Sequence, residues 1–473
     1  MSLRRPNGFI SAGFNPLEVP NAPTIGTATS AGPTSVSVTF TAPANVGGSA
    51  ITGYVATARK TSDGTTISGT GASSPVTISG LTTGVAYTVT VAAVNSFGLG
   101  LSSAASNSVT PLESQLWSWG RNDSGELGLN NTTNRSSPVQ IGALTDWSKI
   151  STGEGFNNGI RNNGTLWSWG LNTSGRLGLN DTVSRSSPVQ IGALTTWATV
   201  SSGRYSCMAI KTDNTMWGWG NNAQYRLGLG DTTNRSSPTQ VGALTVWSQV
   251  AAADRHCLAI TISGSLWAWG AGTYGALGGN NETNQSVPAQ IGGLTTWSFA
   301  AAGNFFSIAI KTDGTMWSWG KGAYGRLGLN DTADRSSPVQ IGALTNWATI
   351  SVFANYGCVA IKTDGSLWSW GAGSNGRLGL GDTNNRSSPV QVGALTTWAK
   401  VSSVKGTCLA IKTDGTLWAW GYNFFGNLGQ NDSGEVSGFP LTNRSSPIQV
   451  GALTTWTKLP VSSFGNNSLA IKG

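Results

Sequence analysis

Few side chains in this sequence have the type and spacing that catalysis requires. A general base or a nucleophile needs a partner within hydrogen-bond reach. The single histidine, His256, stands in the run Asp254-Arg255-His256-Cys257 with no partner evident. Tyr205-Ser206, Phe305-Phe306 and Asn355-Tyr356 stand near the same place in sister segments, so His256 is expected to be a spacer in a variable loop. Paired carboxylates can cleave glycosidic bonds. Asp313, Asp364 and Asp414, however, each fall in the same Thr-Asp-Gly sequence, where turn formation accounts for them. The cysteines Cys207, Cys257, Cys358 and Cys408 form no Cys-x-x-Cys pair, which excludes a zinc site of the usual kind. They share one column and read as small buried free thiols, too far apart on neighbouring units for a disulfide. Arg135, Arg185, Arg235, Arg335, Arg386 and Arg444 recur before Ser-Ser-Pro, with Asp181, Asp231, Asp331 and Asp382 four residues earlier in four units. These are expected to pin loops by ion pairing. No catalytic, cofactor-binding or metal-ligating residue is assigned.

Recognition chemistry is better represented. Two loops per unit diverge in sequence. One follows Trp-Gly and carries Tyr225, Tyr274, Tyr324, Tyr422, Phe424 and Phe425, with Arg176, Arg226, Arg326 and Arg377. The other precedes a Leu-Ala-Ile run and carries Phe156, Arg204, Tyr205, Arg255, Phe305, Phe306, Phe353, Tyr356 and Phe464. Aromatic and arginine side chains dominate protein and sugar recognition, so these loops are the candidate binding face.

The elements that must position them repeat. From Leu116 onward a unit recurs about every 50 residues. Each opens with a tryptophan pair: Trp117/Trp119, Trp167/Trp169, Trp217/Trp219, Trp267/Trp269, Trp317/Trp319, Trp368/Trp370 and Trp418/Trp420. A third tryptophan follows at 147, 197, 247, 297, 347, 398 and 456, and together these account for all 21. Trp-x-Trp-Gly places two indoles on one face of a strand. Thr-Asp-Gly reads as a hairpin turn into the next such strand. A four-stranded sheet cannot bury both faces alone, but seven stacked radially can, with tryptophans as filler between them. The chain ends on Ser468–Gly473, the strand that precedes every Trp-x-Trp-Gly, while the first such strand lacks that partner. The C-terminal strand is therefore expected to complete the first sheet and leave no open edge.

The succession Trp-x-Trp-Gly, Gly-x-Leu-Gly-Leu, Arg-Ser-Ser-Pro and Leu-Ala-Ile-Lys-Thr-Asp-Gly resembles the regulator-of-chromosome-condensation repeat family over residues 113–473. The resemblance implies an all-β, seven-bladed propeller. It does not by itself carry the founding member's nucleotide exchange on a small GTPase. Many members place a histidine just before the Leu-Ala-Ile strand, where this chain has only His256, and the longest departure is the short insertion 433–442.

Residues 20–112 contain no tryptophan and follow another rhythm. Val36, Val38 and Phe40 alternate, Ile51 and Tyr54 open another strand, and Leu81 precedes Tyr87, Val89, Val91 and Ala93. This resembles a fibronectin type III sandwich, in which that leucine and tyrosine form a packed corner. Phe40 stands where many members have tryptophan. Residues 1–19 form an arm, with Arg4, Arg5, Phe9, Ile10, Phe14 and Leu17 as its anchoring candidates.

Charged residues are only 10% of the chain, and its formal charge of +8 is spread thinly. With no basic run beyond Arg4-Arg5, a nucleic-acid partner is not expected. Neither a signal-peptide core nor an apolar run of about 20 residues is present, so no membrane insertion is expected. Arm, spacer and repeat-built end domain resemble the layout of phage appendages. The expectation is a non-enzymatic virion protein: a tail fibre, baseplate appendage or head decoration. Its arm would hold other virion proteins, and its propeller a host-surface glycan or protein, or sister subunits in a homo-oligomer. The alternatives are a bacterial surface adhesin and an intracellular scaffold or GTPase regulator of the repeat family.

Overall fold

The computed structural model describes residues 18–432, 442–461 and 464–473. The arm residues Arg4, Arg5, Phe9, Ile10, Phe14 and Leu17 lie outside the described residues, as does 433–441. Two compact units divide between Ser114 and Gln115.

In the first unit, Thr24–Gly32, Ser35–Thr41 and Val76–Ser79 form one sheet, and Gly53–Lys60, Thr66–Gly71, Tyr87–Asn95 and Gly98–Ser102 the other. Alternation sets the core between them, because side chains two apart share a face. Val36, Val38, Val89, Val91 and Ala93 are fully buried. Phe40 packs against Tyr54 with ring centroids 4.6 Å apart. Leu81 and Tyr87 are buried, and the Tyr87 hydroxyl accepts a 3.1 Å hydrogen bond from the Thr82 N–H, closing the corner.

The second unit is built from seven four-stranded antiparallel sheets among the described residues. One sheet shows the rule. Trp197–Ser202, Ser206–Lys211, Met216–Gly220 and Arg235–Gln240 pair in that order. The first strands of neighbouring sheets meet around the axis: the Ser202 N–H donates to Ser151 Oγ at 2.7 Å, and the Ala252 N–H to Ser201 Oγ at 3.0 Å.

The three tryptophans of each unit have different tasks. The second is completely buried and donates its indole N–H to a backbone carbonyl of the preceding sheet. Trp169, Trp219, Trp269, Trp319, Trp370 and Trp420 reach Glu126, Arg176, Arg226, Ala276, Arg326 and Arg377 at 2.9–3.1 Å. Trp119 reaches Asn427 at 2.8 Å, which joins the last sheet to the first. The glycine two residues after each acceptor has to be a glycine. At Gly178, with φ at +72°, a Cβ would lie 2.9 Å from Trp219 Nε1. The third tryptophan packs edge-on against the other two of its sheet, at 5.6–6.5 Å between centroids. The first is only half-buried, so it is not filler between sheets. At Trp217, Trp317, Trp368 and Trp418 a lysine ammonium lies 3.5–3.8 Å from the ring centroid.

Closure follows the expected route. Asn467–Lys472 pairs with Gln115–Gly120 from Asn467 opposite Gly120 to Lys472 opposite Gln115. The first strand of this closing sheet, Trp456–Lys458, is short because Pro460 interrupts it. Val461 then donates to the Ile150 carbonyl at 3.1 Å, and Phe464 packs with Ala253, Ala302 and Ala354.

Candidate functional site

The strand order sends the two divergent loops of every unit to the same end of the second unit. The hairpin between second and third strands and the Ile-Gly-Ala-Leu-Thr connection lie at the other end. That end is nearly identical from unit to unit. Asp213, Asp313, Asp364 and Asp414 each accept from the N–H and hydroxyl of the residue two further on. These bonds hold the carboxylates below their ordinary pKa. At the loop end, Asp181, Asp231, Asp331 and Asp382 pair with the expected arginines at 2.6 Å, and Asp432 pairs with Arg444 at 2.9 Å.

The residues that could do chemistry are engaged in structure. His256 lies in the strand His256–Thr261, not in a loop, and is fully buried with Nε2 2.8 Å from Ser307 Oγ. Burial lowers its pKa to about 4. The cysteines are free and buried, and burial raises the Cys207 and Cys257 thiols to about 12. Cys207, Cys257 and Cys358 face the carbonyls of Arg176, Arg226 and Arg326 at 3.3–3.8 Å, the same acceptors the indoles use. Among the described residues no group of three His, Cys, Asp or Glu side chains could hold a metal ion.

The loop end sorts the recognition candidates by burial. Phe156, Phe306 and Phe353 are fully buried and Phe464 nearly so; these four belong to the core and not to a binding surface. Phe306 sits inside its strand opposite Gly320, where the absent side chain leaves room for the ring. Arg176, Arg226, Arg326 and Arg377 are also buried, and desolvation lowers their pKa values. Arg204, Tyr205, Tyr225, Arg255, Tyr274, Phe305, Tyr356, Tyr422, Phe424 and Phe425 keep part of their surface open, and Tyr324 is 53% exposed.

Around the axis these open side chains form a charged aromatic rim. Tyr205 lies within 4.9–5.6 Å of the Arg176, Arg204 and Arg226 guanidinium carbons. Phe305 meets Arg255 at 4.9 Å, Lys321 at 5.5 Å and Tyr274 edge-on at 5.3 Å. Tyr422 stacks on Phe424, and Arg121 lies over Phe425 at 5.2 Å. Arg204 bridges Glu154 and Asp254, the latter at 3.4 Å, and Lys405 reaches Glu154 at 3.2 Å. Burial opposes the Arg204 charge, but Glu154 and Asp254 outweigh it and raise the guanidinium pKa. Arg204 and Lys405 in turn hold Glu154 below its usual value against desolvation. Sequence reasoning passed over Glu154, Asp254 and Lys405. Aligning the units shows the signal, because Glu154, Arg204 and Asp254 occupy one column with alternating charge.

Fold and rim together define a repeat-built propeller with one specialised end. The chain belongs to the RCC1-like domain family, whose model matches residues 99–357, more than half of its length. The regulator of chromosome condensation (RCC1) repeat matches 364–411, and the fibronectin type III domain 21–109. Among solved structures, Prp20p from Saccharomyces cerevisiae is similar at TM-score 0.66 and 17% identity, over 76% of this chain and 91% of that one. Yeast RCC1 (Prp20) bound to Kap60 gives TM-score 0.67 at 17% identity, over 76% and 89%. Human WBSCR16 gives 0.65 at 19%, over 76% and 98%. At these identities the likeness is one of fold. No curated protein sequence matches the chain significantly. These relatives lend no support to the virion reading, which rests on domain order alone.

Proposed function

We propose that this chain is a non-enzymatic interaction scaffold that docks a protein partner on the loop end of its propeller. The observation that carries the reading is the asymmetry between the two ends. The turn end largely repeats itself unit by unit, while the loop end concentrates most of the divergent arginines, tyrosines and phenylalanines of the repeats that are still open. Half-buried aromatics beside cations are the usual anchors of protein interfaces. The relatives point the same way: the yeast structure of similar fold is described with binding to Gsp1p and histones, and another with Kap60 bound.

The test is photo-crosslinking of the full chain in its native source, with benzoylphenylalanine in place of Tyr324 at the loop end or of Leu344, 45% exposed, at the turn end. Discrete protein adducts from position 324 and none from 344 are expected. Adducts from 344 alone, or only glycan adducts from 324, would overturn the reading.

A further inference from the structure

A cavity of ≈ 230 Å³ opens in the loop end, lined among others by Tyr356, Arg377, Lys405, Tyr422, Phe425 and Asn427. Its chemistry is unlike the rest of the rim. Arg176, Arg226 and Arg326 turn Nε back onto their own loops, donating to Thr173, Ala223 and Ala323 carbonyls at 2.8–2.9 Å. Arg377 does not. Like those three it is buried, at 4% exposed, and has no ion-pair partner among the described residues, but both its Nε and its Nη1 lack a hydrogen-bond partner. Its guanidinium stacks on Tyr356 instead, at 3.9 Å. The cause is legible in the chain: one residue more separates Trp347 from Lys362 than separates Trp297 from Lys311, and the longer loop delivers Tyr356. Burying a cation without an anion is unfavourable, and a ligand that brings the anion removes the penalty.

Asn427 completes the pattern. It is 4% exposed, and its Nδ2 donates to the Asn466 carbonyl at 2.7 Å. That bond fixes the amide's orientation and leaves Oδ1 as a buried acceptor with no donor. The cavity thus offers unused donors and an unused acceptor between aromatic walls.

We propose that this cavity seats an acidic residue of a polypeptide, its carboxylate on Arg377 and an N–H of the same segment on Asn427 Oδ1. The inference rests on the reading of the loop end as a protein-binding face and names the chemistry of that partner. The surroundings favour an extended acidic segment over a lone acidic sugar. Arg121, Arg204, Arg255, Lys321 and Lys405 outnumber Asp123, Glu154 and Asp254 on the same rim, and an excess of one sign steers a partner carrying several opposite charges.

The experiment is fluorescence anisotropy of labelled pentaglutamate and pentaglutamine peptides on the full chain. Pentaglutamate is expected to bind roughly tenfold more tightly, as a charge-assisted contact requires. Arg377→Met should remove most of that preference, whereas Arg255→Gln, a rim cation outside the cavity, should change it about twofold. Asn427→Asp supplies a carboxylate from within, so it should abolish the preference, with a lower thermal midpoint because the oxygen that replaces Nδ2 meets the Asn466 carbonyl. Should Arg377→Met fail to fold, the Asn427→Asp chain decides the matter. Equal binding of both peptides, equal sensitivity to Arg255→Gln and Arg377→Met, or tighter binding of an oligoglucuronate would each overturn the proposal. Protein cross-links from position 324 without any glutamate preference would overturn this inference alone and leave the loop-end reading standing.

Discussion

His256 shows how burial decides what a reactive side chain does. Its strand position is filled by Phe156 and Phe306 in two sister sheets, and in each the residue faces a glycine. Desolvation brings the imidazole from 6.5 to about 4, a difference of about 3 kcal/mol between folded and unfolded chains. The sign follows from the lowered pKa. Above about 6.5 both states are neutral and the contribution is complete. Below it the unfolded chain takes up the proton first, so stability falls until about 4. Urea midpoints measured across this window should decline with falling pH in the native chain and decline less in His256→Phe. Parallel profiles would contradict the assignment. The loop-pinning pairs act on a smaller scale. Their carboxylates and guanidiniums are partly open to water, so Arg386→Ala should leave the urea midpoint almost unchanged.

Between neighbouring sheets the second tryptophan of one and the glycine after its acceptor on the other form one device. The indole N–H has to cross to the neighbouring sheet, and a β-carbon at that glycine would stand in its path. Gly328 has φ at +72°, and a Cβ there would lie 2.9 Å from Trp370 Nε1. Trp370→Phe forfeits the bond to the Arg326 carbonyl and leaves a void, for a loss of about 2 kcal/mol. Gly328→Ala should cost at least as much through strain and the same bond. Because both changes break one contact, the double variant should lose less than the two single losses added together. Denaturant midpoints of the four chains measure this directly, and simple additivity would separate the two residues.

At the scale of the molecule, stability depends on closing the ring. The bonds between Asn467–Lys472 and Gln115–Gly120, the Trp119 bond to Asn427 and the Val461 bond to Ile150 all join the two ends of the repeat region. Removing residues 461–473 opens a strand edge and empties the axis. Such a chain should lose its cooperative tryptophan-fluorescence transition and associate on size exclusion, as unpaired edges do. All 21 tryptophans lie in the repeats, so this signal reports on that unit alone. A truncated chain that stayed monomeric and cooperative would show that the other sheet contacts suffice.

The sequence by itself determined the units, their strands, the closing strand, the turn aspartates and the loop-pinning pairs. Each is written in local alternation or in a fixed spacing, and both survive in one dimension. Tertiary structure decided which aromatic candidates stay open. Phe306, Phe353 and Phe464 look like Phe305 in the sequence yet turn inward, because the facing glycine or the axis has room for a ring. It also decided the union of Glu154 with Lys405, 251 residues apart, and the release of Arg377 from its own loop by one added residue in another loop of the same sheet. The first contact joins sheets that meet only when the ring is assembled, and the second joins two separate loops of one sheet, so no periodicity along the chain encodes either.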